Sequence, residues 1–272
     1  MPIYHAIILG IVQGLTEFFP VSSSAHLEIT RAAFGWQQLD GDLETFFDVA
    51  VHLGTLLGAI IYLRADIVRY AKAALAPLRH QPLNQEGRIG WFLMLSAVPA
   101  GLVGVFFASS INNADNLTVI ALALIVFGLL LAFADGRQAS RGQGDFRLAD
   151  SLLIGLGQAL ALQPGVSRSG ATLSVARFLG FERDAAARLV FLMSLPVIAG
   201  AGVFAFLGLL GSEISRSFWA VFVSGATAAA ITGFFAVWVT MRLIQARSFM
   251  VFVWYRIVLG FAILGLLPAG WL

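Results

Sequence analysis

Two short stretches of this 272-residue chain concentrate residue types that can do chemistry. The first reads QGLTEFFPVSSSAH: Gln13, Glu17, Pro20, then Ser22, Ser23, Ser24 and His26. On a helix, Gln13 and Glu17 share one face, one turn apart. An amide oxygen and a carboxylate so placed suit a hard cation such as Mg2+ or Ca2+. Glu17 is equally placed to be a general base, and the blander alternative is a polar cap in a helix break. Pro20 ends the helix, because the residue before a proline avoids the α region. The hydroxyls and His26 then follow in a loop. The second stretch, PGVSRSGAT, covers residues 164–172. Pro164 and Gly165 make a turn, and Gly170 lets a ligand approach the backbone closely. Arg168, between Ser167 and Ser169, carries the planar fork that grips phosphate bidentately. Ser167, Ser169, Thr172 and the N–H groups of a helix starting there would complete an anion nest. Arg168 can also pair with Glu17, and the two roles are compatible. Asp48 and His52 form a further i, i+4 pair, read either as solvated entrance groups or as support for the site.

The elements that must hold these residues are those of a membrane. Hydrophobic residues make up 59% of the chain and charged residues 12%, against about 25% charged in a soluble domain. The apolar runs are long, not the dyad alternation of a β-barrel. Six reach spanning length: 46–64, 88–109, 117–135, 189–210, 218–241 and 249–271. Residues 3–12 and 148–162 are too short before a polar, proline-broken loop, and fit re-entrant helices better. The basic residues support this by the positive-inside rule. Arg64, Arg69, Lys72, Arg79 and Arg88, then Arg137, Arg141 and Arg147, then Arg177, Arg183 and Arg188, then Arg242 and Arg247 fill four loops. The other loops hold Arg31 and Arg216 with Glu28, Asp40, Asp42, Glu44, Asp115 and Glu213. With both polar-centred segments re-entrant, all four basic loops are cytoplasmic. The first segment then enters from outside and the second from inside. Arg256, about two turns into the last span, is read either as snorkelling to the cytoplasmic face or as part of the site.

The two segments echo each other at an offset of 145: Gly10 with Gly155, Gln13 with Gln158, Leu15 with Leu160, Val21 with Val166, Ser22 with Ser167, Ser24 with Ser169. Opposite entry plus this echo suggests an inverted-topology repeat with a site at mid-membrane. The fold expected is therefore an all-α polytopic membrane protein. It forms one domain over 1–272, with repeats of about 1–135 and 148–272. An ionisable group at membrane depth costs roughly 2.5–3.5 kcal/mol even on insertion scales, so Glu17, His26, Asp48, His52, Arg168 and Arg256 each need a reason to be there. The absence of cysteine rules out disulfides and thiolate metal sites. His5, His26, His52 and His80 form no zinc pattern, and there is no Walker A loop. The scattered basic loops point to topology, not to nucleic acid. A buried site of one acid, one histidine, several hydroxyls and one arginine points to a phosphorylated lipid whose tail stays in the bilayer.

These motifs, in this order, resemble the undecaprenyl-diphosphate phosphatase family, also called the bacitracin-resistance family. The likeness covers essentially the whole chain. Its first motif accepts Glu or Gln at its first position, where this chain has Gln13. The resemblance implies hydrolysis of the C55 isoprenyl diphosphate to the monophosphate and inorganic phosphate, which recycles the carrier lipid for the cell wall. It implies a bacterial cytoplasmic membrane, a site open to the outer face, and Mg2+ or Ca2+. Glu17 matches the glutamate that binds metal or handles protons, and Ser23 the nucleophile. His26 matches a residue assigned as nucleophile or as acid/base, and Arg168 the phosphate-binding arginine. The sequence does not choose between Ser23 and His26. A flippase for polyprenyl phosphates is the alternative, since inverted re-entrant repeats are also a transporter architecture. A Ser-lined ion channel is disfavoured by Glu17 and Arg168 as blockers. The oligomeric state is left open, a homodimer included.

Overall fold

The computed structural model describes residues 1–36, 41–107, 116–208, 216–246 and 248–269. Asp40, Asp115, Glu213 and Arg247, and the side chains of Asp42 and Arg216, lie outside the described residues. Of the described residues 84% are helical, with no strand among them. In chain order the helices are α1 (Ile3–Glu17), α2 (Ser23–Phe34), α3 (Gly41–Ala74), α4 (Gln85–Leu95), α5 (Ala97–Phe107), α6 (Leu117–Asp135), α7 (Leu148–Leu160), α8 (Arg168–Phe178), α9 (Arg183–Gly208), α10 (Arg216–Ala246) and α11 (Met250–Leu266).

Five helical segments are long and apolar enough to cross a membrane: Leu43–Ala74, Gln85–Phe106, Leu117–Asp135, Arg183–Gly208 and Phe218–Ile244. The sixth expected span is α11, 17 residues long. The expected span 88–109 is broken at Ser96 into α4 and α5. Pro99 explains the break, since it has no N–H to donate and its ring crowds the preceding turn. At the break, the Ser96 carbonyl accepts from Gln158 Nε2 at 3.2 Å.

α1 and α2 form a hairpin, as do α7 and α8. At 15 and 13 residues, α1 and α7 are only about 20 Å long, short of a ~30 Å hydrocarbon core. The first hairpin is closed at its base by local rules. Gly35, at φ 59, ends α2, and Trp36 N–H donates back to the Arg31 carbonyl at 3.0 Å. This left-handed cap turns Trp36 onto His5 of α1, their rings stacked 3.8 Å apart. The second hairpin closes through Arg141, which precedes α7. Arg141 donates to the Leu179 carbonyl just after α8 at 2.8 Å and grips Asp150 at 3.0 and 2.5 Å.

The helix packing is paired in the same sense. α1 lies on α10 and α7 lies on α5, while α3 meets α9 and α6 meets α11. Small residues allow the closest of these approaches: Gly10 rests on Gly225 and Gly14 on Ala229 and Gly233. The largest core cluster surrounds α9 and takes in Phe18, Leu173 and Phe191, the rings of Phe18 and Phe191 meeting edge-on at 5.3 Å. α8 is buried on nearly every face despite its polar sequence. Its hydroxyls turn inward on its own backbone, Thr172 to the Arg168 carbonyl at 2.6 Å and Ser174 to the Gly170 carbonyl at 2.8 Å.

Basic loops from different parts of the chain gather at one end. Arg177 donates to the carbonyls of Asp135 and Arg137 at 3.0 and 2.7 Å. Arg183 and the Phe249 N–H both reach the Asp135 carboxylate, at 2.6 and 3.0 Å. Arg188 bonds Asp66 at 2.9 Å.

Candidate active site

The tips of the two hairpins meet inside the molecule. Each turns into its second helix through a serine in a backbone conformation that side-chain-bearing residues rarely adopt: Ser22 at φ 73 and Ser167 at φ 70. Such residues cost roughly 1–3 kcal/mol each and persist where the surroundings over-determine them. Here the surroundings do so reciprocally. Ser22 Oγ accepts from the Gly165 N–H at 3.2 Å, and the Ser169 hydroxyl donates to the Phe19 carbonyl at 3.0 Å. Ser22 and Ser24 hydroxyls lie 3.2 Å apart, and so do those of Ser167 and Ser169. The offset of 145 seen in the sequence thus recurs in backbone conformation and hydroxyl spacing. Gly165, at φ 89, must lack a side chain, because a Cβ there would stand 2.6 Å from the Ile120 carbonyl oxygen.

Pro20 ends α1 as expected, but the following segment is helix, not loop. α2 begins at Ser23, so Ser23, Ser24 and His26 stand on its first turn. The cause is the compact turn at 18–21, which lets the chain restart a helix at once. Ser22 makes no side-chain cap bond to the first N–H groups of α2. α8 likewise begins at Arg168. The positive ends of two helix dipoles therefore converge on the same point.

Glu17 is the hub. It is 7% exposed, and its two oxygens serve different partners. Arg168 Nη2 donates to Oε1. The Ser23 hydroxyl and Gln13 Nε2 both donate to Oε2, each at 2.6 Å. His52 Nε2 stands 3.5 Å from the same oxygen. His52 is thereby brought to the site, its Nδ1 donating to the Asp48 carbonyl at 2.6 Å. Asp48 itself is not at the hub, since its carboxylate is taken by Arg31 at 2.5 Å. Arg31 also pairs with Glu28 and Glu44.

His26 donates from Nδ1 to the Ser22 carbonyl at 2.7 Å, while Nε2 faces the Tyr255 hydroxyl at 2.7 Å. Among the hydroxyls, those of Ser22, Ser167, Ser169 and Thr172 are buried. They serve the backbone or each other, and the Gly170 N–H is capped by Ser167 Oγ at 3.1 Å. Ser23, Ser24, His26, His52 and Arg168 are the partly open groups. Gln158 does not join them; it is 2% exposed and sits against α5 through its bond to Ser96.

Gln13 is fully buried, and its amide oxygen has no hydrogen-bond partner. That orphaned oxygen and the Glu17 carboxylate are each the ligand type a hard cation such as Mg2+ or Ca2+ takes, though Gln13 turns its amide nitrogen, not this oxygen, toward Glu17. The other carboxylate group close enough for a metal among the described residues is Glu28, Glu44 and Asp48, and Arg31 occupies its centre.

Two residues were not found by motif reading. Arg256 does not snorkel: it is 0% exposed. Its guanidinium donates to the carbonyls of Pro20 at 3.2 Å, of Gly165 and Val166 at 3.0 Å, and of Leu124 at 3.1 Å. It ties both hairpin tips to α6 with carbonyl oxygens instead of a carboxylate, so its positive charge stays beneath the site. An arginine within an apolar run was the only signal for it. Tyr255 gave no signal at all.

The chain matches the family described as Bacitracin resistance protein BacA over residues 6–262. It belongs to that family. Proteins named undecaprenyl-diphosphatase are similar to it along their whole length. One from Geobacter sulfurreducens is 43% identical, over 99% of this chain and 100% of its own. One from Hahella chejuensis is 42% identical over 95% and 96%, and one from Pelotomaculum thermopropionicum 39% over 99% and 98%. The family resemblance read from QGLTEFFPVSSSAH and PGVSRSGAT is thus borne out.

Proposed function

We infer that the chain hydrolyses undecaprenyl diphosphate to undecaprenyl phosphate and inorganic phosphate, in a multi-pass membrane setting. The observation that carries this is the Ser23 hydroxyl donating to Glu17 at 2.6 Å while Arg168 holds the other oxygen of that carboxylate. A serine is a weak nucleophile unless a base adjoins it, and here the base adjoins it. Arg168 and the uncapped N-terminus of α2 supply the positive field that phosphoryl transfer requires.

In this reading Ser23 Oγ attacks the terminal phosphorus in line and its proton passes to Glu17. The bond from that phosphorus to the bridging oxygen breaks, and undecaprenyl phosphate leaves. Water then attacks the phosphoserine, giving a proton to His26 Nε2; the bond from phosphorus to Ser23 Oγ breaks, Ser23 recovers its proton from Glu17, and His26 passes its proton to the departing phosphate. A divalent cation held by Glu17 and Gln13 would neutralise phosphate charge. Removal of activity by EDTA and its return with Mg2+ or Ca2+ tests that assignment.

The two hairpins are read as re-entrant segments of an inverted repeat. Supporting this are the paired serine conformations and the gathering of basic loops at one end, which is then cytoplasmic. The α1–α2 hairpin enters from the opposite side, and the site serves lipid from the outer leaflet.

Purified protein in detergent should release inorganic phosphate from a polyprenyl diphosphate. Detergent abolishes the two compartments, so a transporter alone would release none. Arg168→Ala should cut release by at least about 10²-fold with insertion unchanged; ordinary turnover in that variant would sink the site. Trapping with a phosphate analogue should leave an adduct on Ser23, and a stable adduct on His26 would refute the serine assignment.

A further inference from the structure

We propose that Tyr255 is a positioning residue for this reaction, holding the ring of His26 in place while the Ser22 carbonyl sets the tautomer that presents a lone pair at Nε2. The proposal rests on the reading above, in which His26 Nε2 accepts the proton of the attacking water.

The hydrogen bonds decide the direction of donation. The Ser22 carbonyl can only accept, so His26 Nδ1 carries a proton. In the neutral ring Nε2 is then an acceptor, and the Tyr255 hydroxyl 2.7 Å away must donate to it. The rings lie parallel, 8° apart in plane and 5.6 Å between centroids, so tilting the imidazole is opposed by the phenol face as well. One nitrogen is fixed by α2's own backbone and the other from α11. The Ser22 bond sets the tautomer, and the Tyr255 bond adds a second restraint on the ring's rotation.

The place of Tyr255 argues against a packing role. It belongs to none of the core clusters and is 47% exposed. It sits on the outward side of α11 with Trp254 and Val258, while the next residue, Arg256, is wholly buried. A phenol on this boundary lies where a lipid phosphate whose tail stays in the bilayer must come and go. There its hydroxyl can leave Nε2 as water arrives and return when the product departs, with no rearrangement of the core.

Tyr255→Phe keeps the ring and removes only the hydroxyl. With [15N]histidine-labelled protein in detergent, His26 is one of four histidine signals and is assigned with H26Q. The wild type should show a proton on Nδ1 and a hydrogen-bonded lone pair on Nε2. Y255F should move the Nε2 resonance toward its free value; an unchanged Nε2 resonance overturns the contact. In steady-state phosphate release, Y255F should lower kcat about tenfold, because the His26 ring is then held at one nitrogen only and is misplaced when water arrives, with KM held within about twofold. An unchanged kcat, or a loss confined to KM, overturns the positioning role. If the wild type releases no phosphate, the hydrolase reading fails, and the resonance arm still reports on Tyr255 separately.

Discussion

Glu17 accepts from Arg168, Ser23 and Gln13, and each contact has a separable consequence. Glu17→Gln keeps the shape, removes the carboxylate to which Ser23 donates and frees Arg168 of its partner. Its kcat should fall about 10²–10⁴-fold, the usual worth of general-base catalysis, while inorganic phosphate binds more tightly because Arg168 no longer has an internal anion. Competitive binding of phosphate to wild type and E17Q checks this, and equal affinities would refute the arginine–glutamate competition. Arg256 makes a different prediction. Arg256→Met leaves the Pro20, Gly165 and Val166 carbonyls without this donor. The midpoint of thermal unfolding in detergent should drop by roughly 5 °C or more, and Arg256→Lys should recover part of it, since an ammonium lacks the rigid five-donor fork. Glu17 and Arg168 were legible in the sequence because an isolated charge in an apolar chain demands a partner. His26 was legible by motif, but its pairing with Tyr255 was not. That contact joins residues 229 positions apart, and a tyrosine beside a tryptophan in an apolar run looks like any interfacial aromatic.

At the scale of elements, each hairpin tip is a turn held against its counterpart. Gly165→Ala sets a Cβ against the Ile120 carbonyl at a positive φ. It should therefore cost stability and displace Ser167 and Arg168 together. Loss of phosphate release alongside a lowered unfolding midpoint is expected, and full activity in G165A would show that the tip tolerates movement. The 145-residue echo made the hairpins readable before any coordinates, because both glutamines and both serine pairs recur in register. The break at Ser96 was hidden. Pro99 in an apolar run is compatible with a kinked continuous helix, as Pro196 is within α9, so the sequence does not show that this one interrupts it. The length of α2 was hidden too, since three serines in a row look like loop unless the turn before them is known to be tight.

For the whole molecule, the charge count proposes a topology that labelling can test. The chain has no cysteine, so single cysteines report cleanly. With an impermeant maleimide on intact cells, a cysteine at Trp36 should react from outside, and ones at Arg79, Arg137 and Arg242 only after permeabilisation. Reaction of the Arg137 variant in intact cells would overturn the assignment. The basic loops were sufficient to propose this arrangement because topology depends on where charge lies along the chain, not on contacts. The meeting of the hairpin tips also has a consequence in time. Arg168 follows Glu17 by 151 residues, which at about 5–20 residues per second is roughly 8–30 s of synthesis. Throughout that interval the nascent first half holds a carboxylate without its guanidinium, on a helix too short to anchor itself. Arg256, which ties the tips together, arrives later still. The junction of the two hairpin tips is therefore complete only once the last helix has been made.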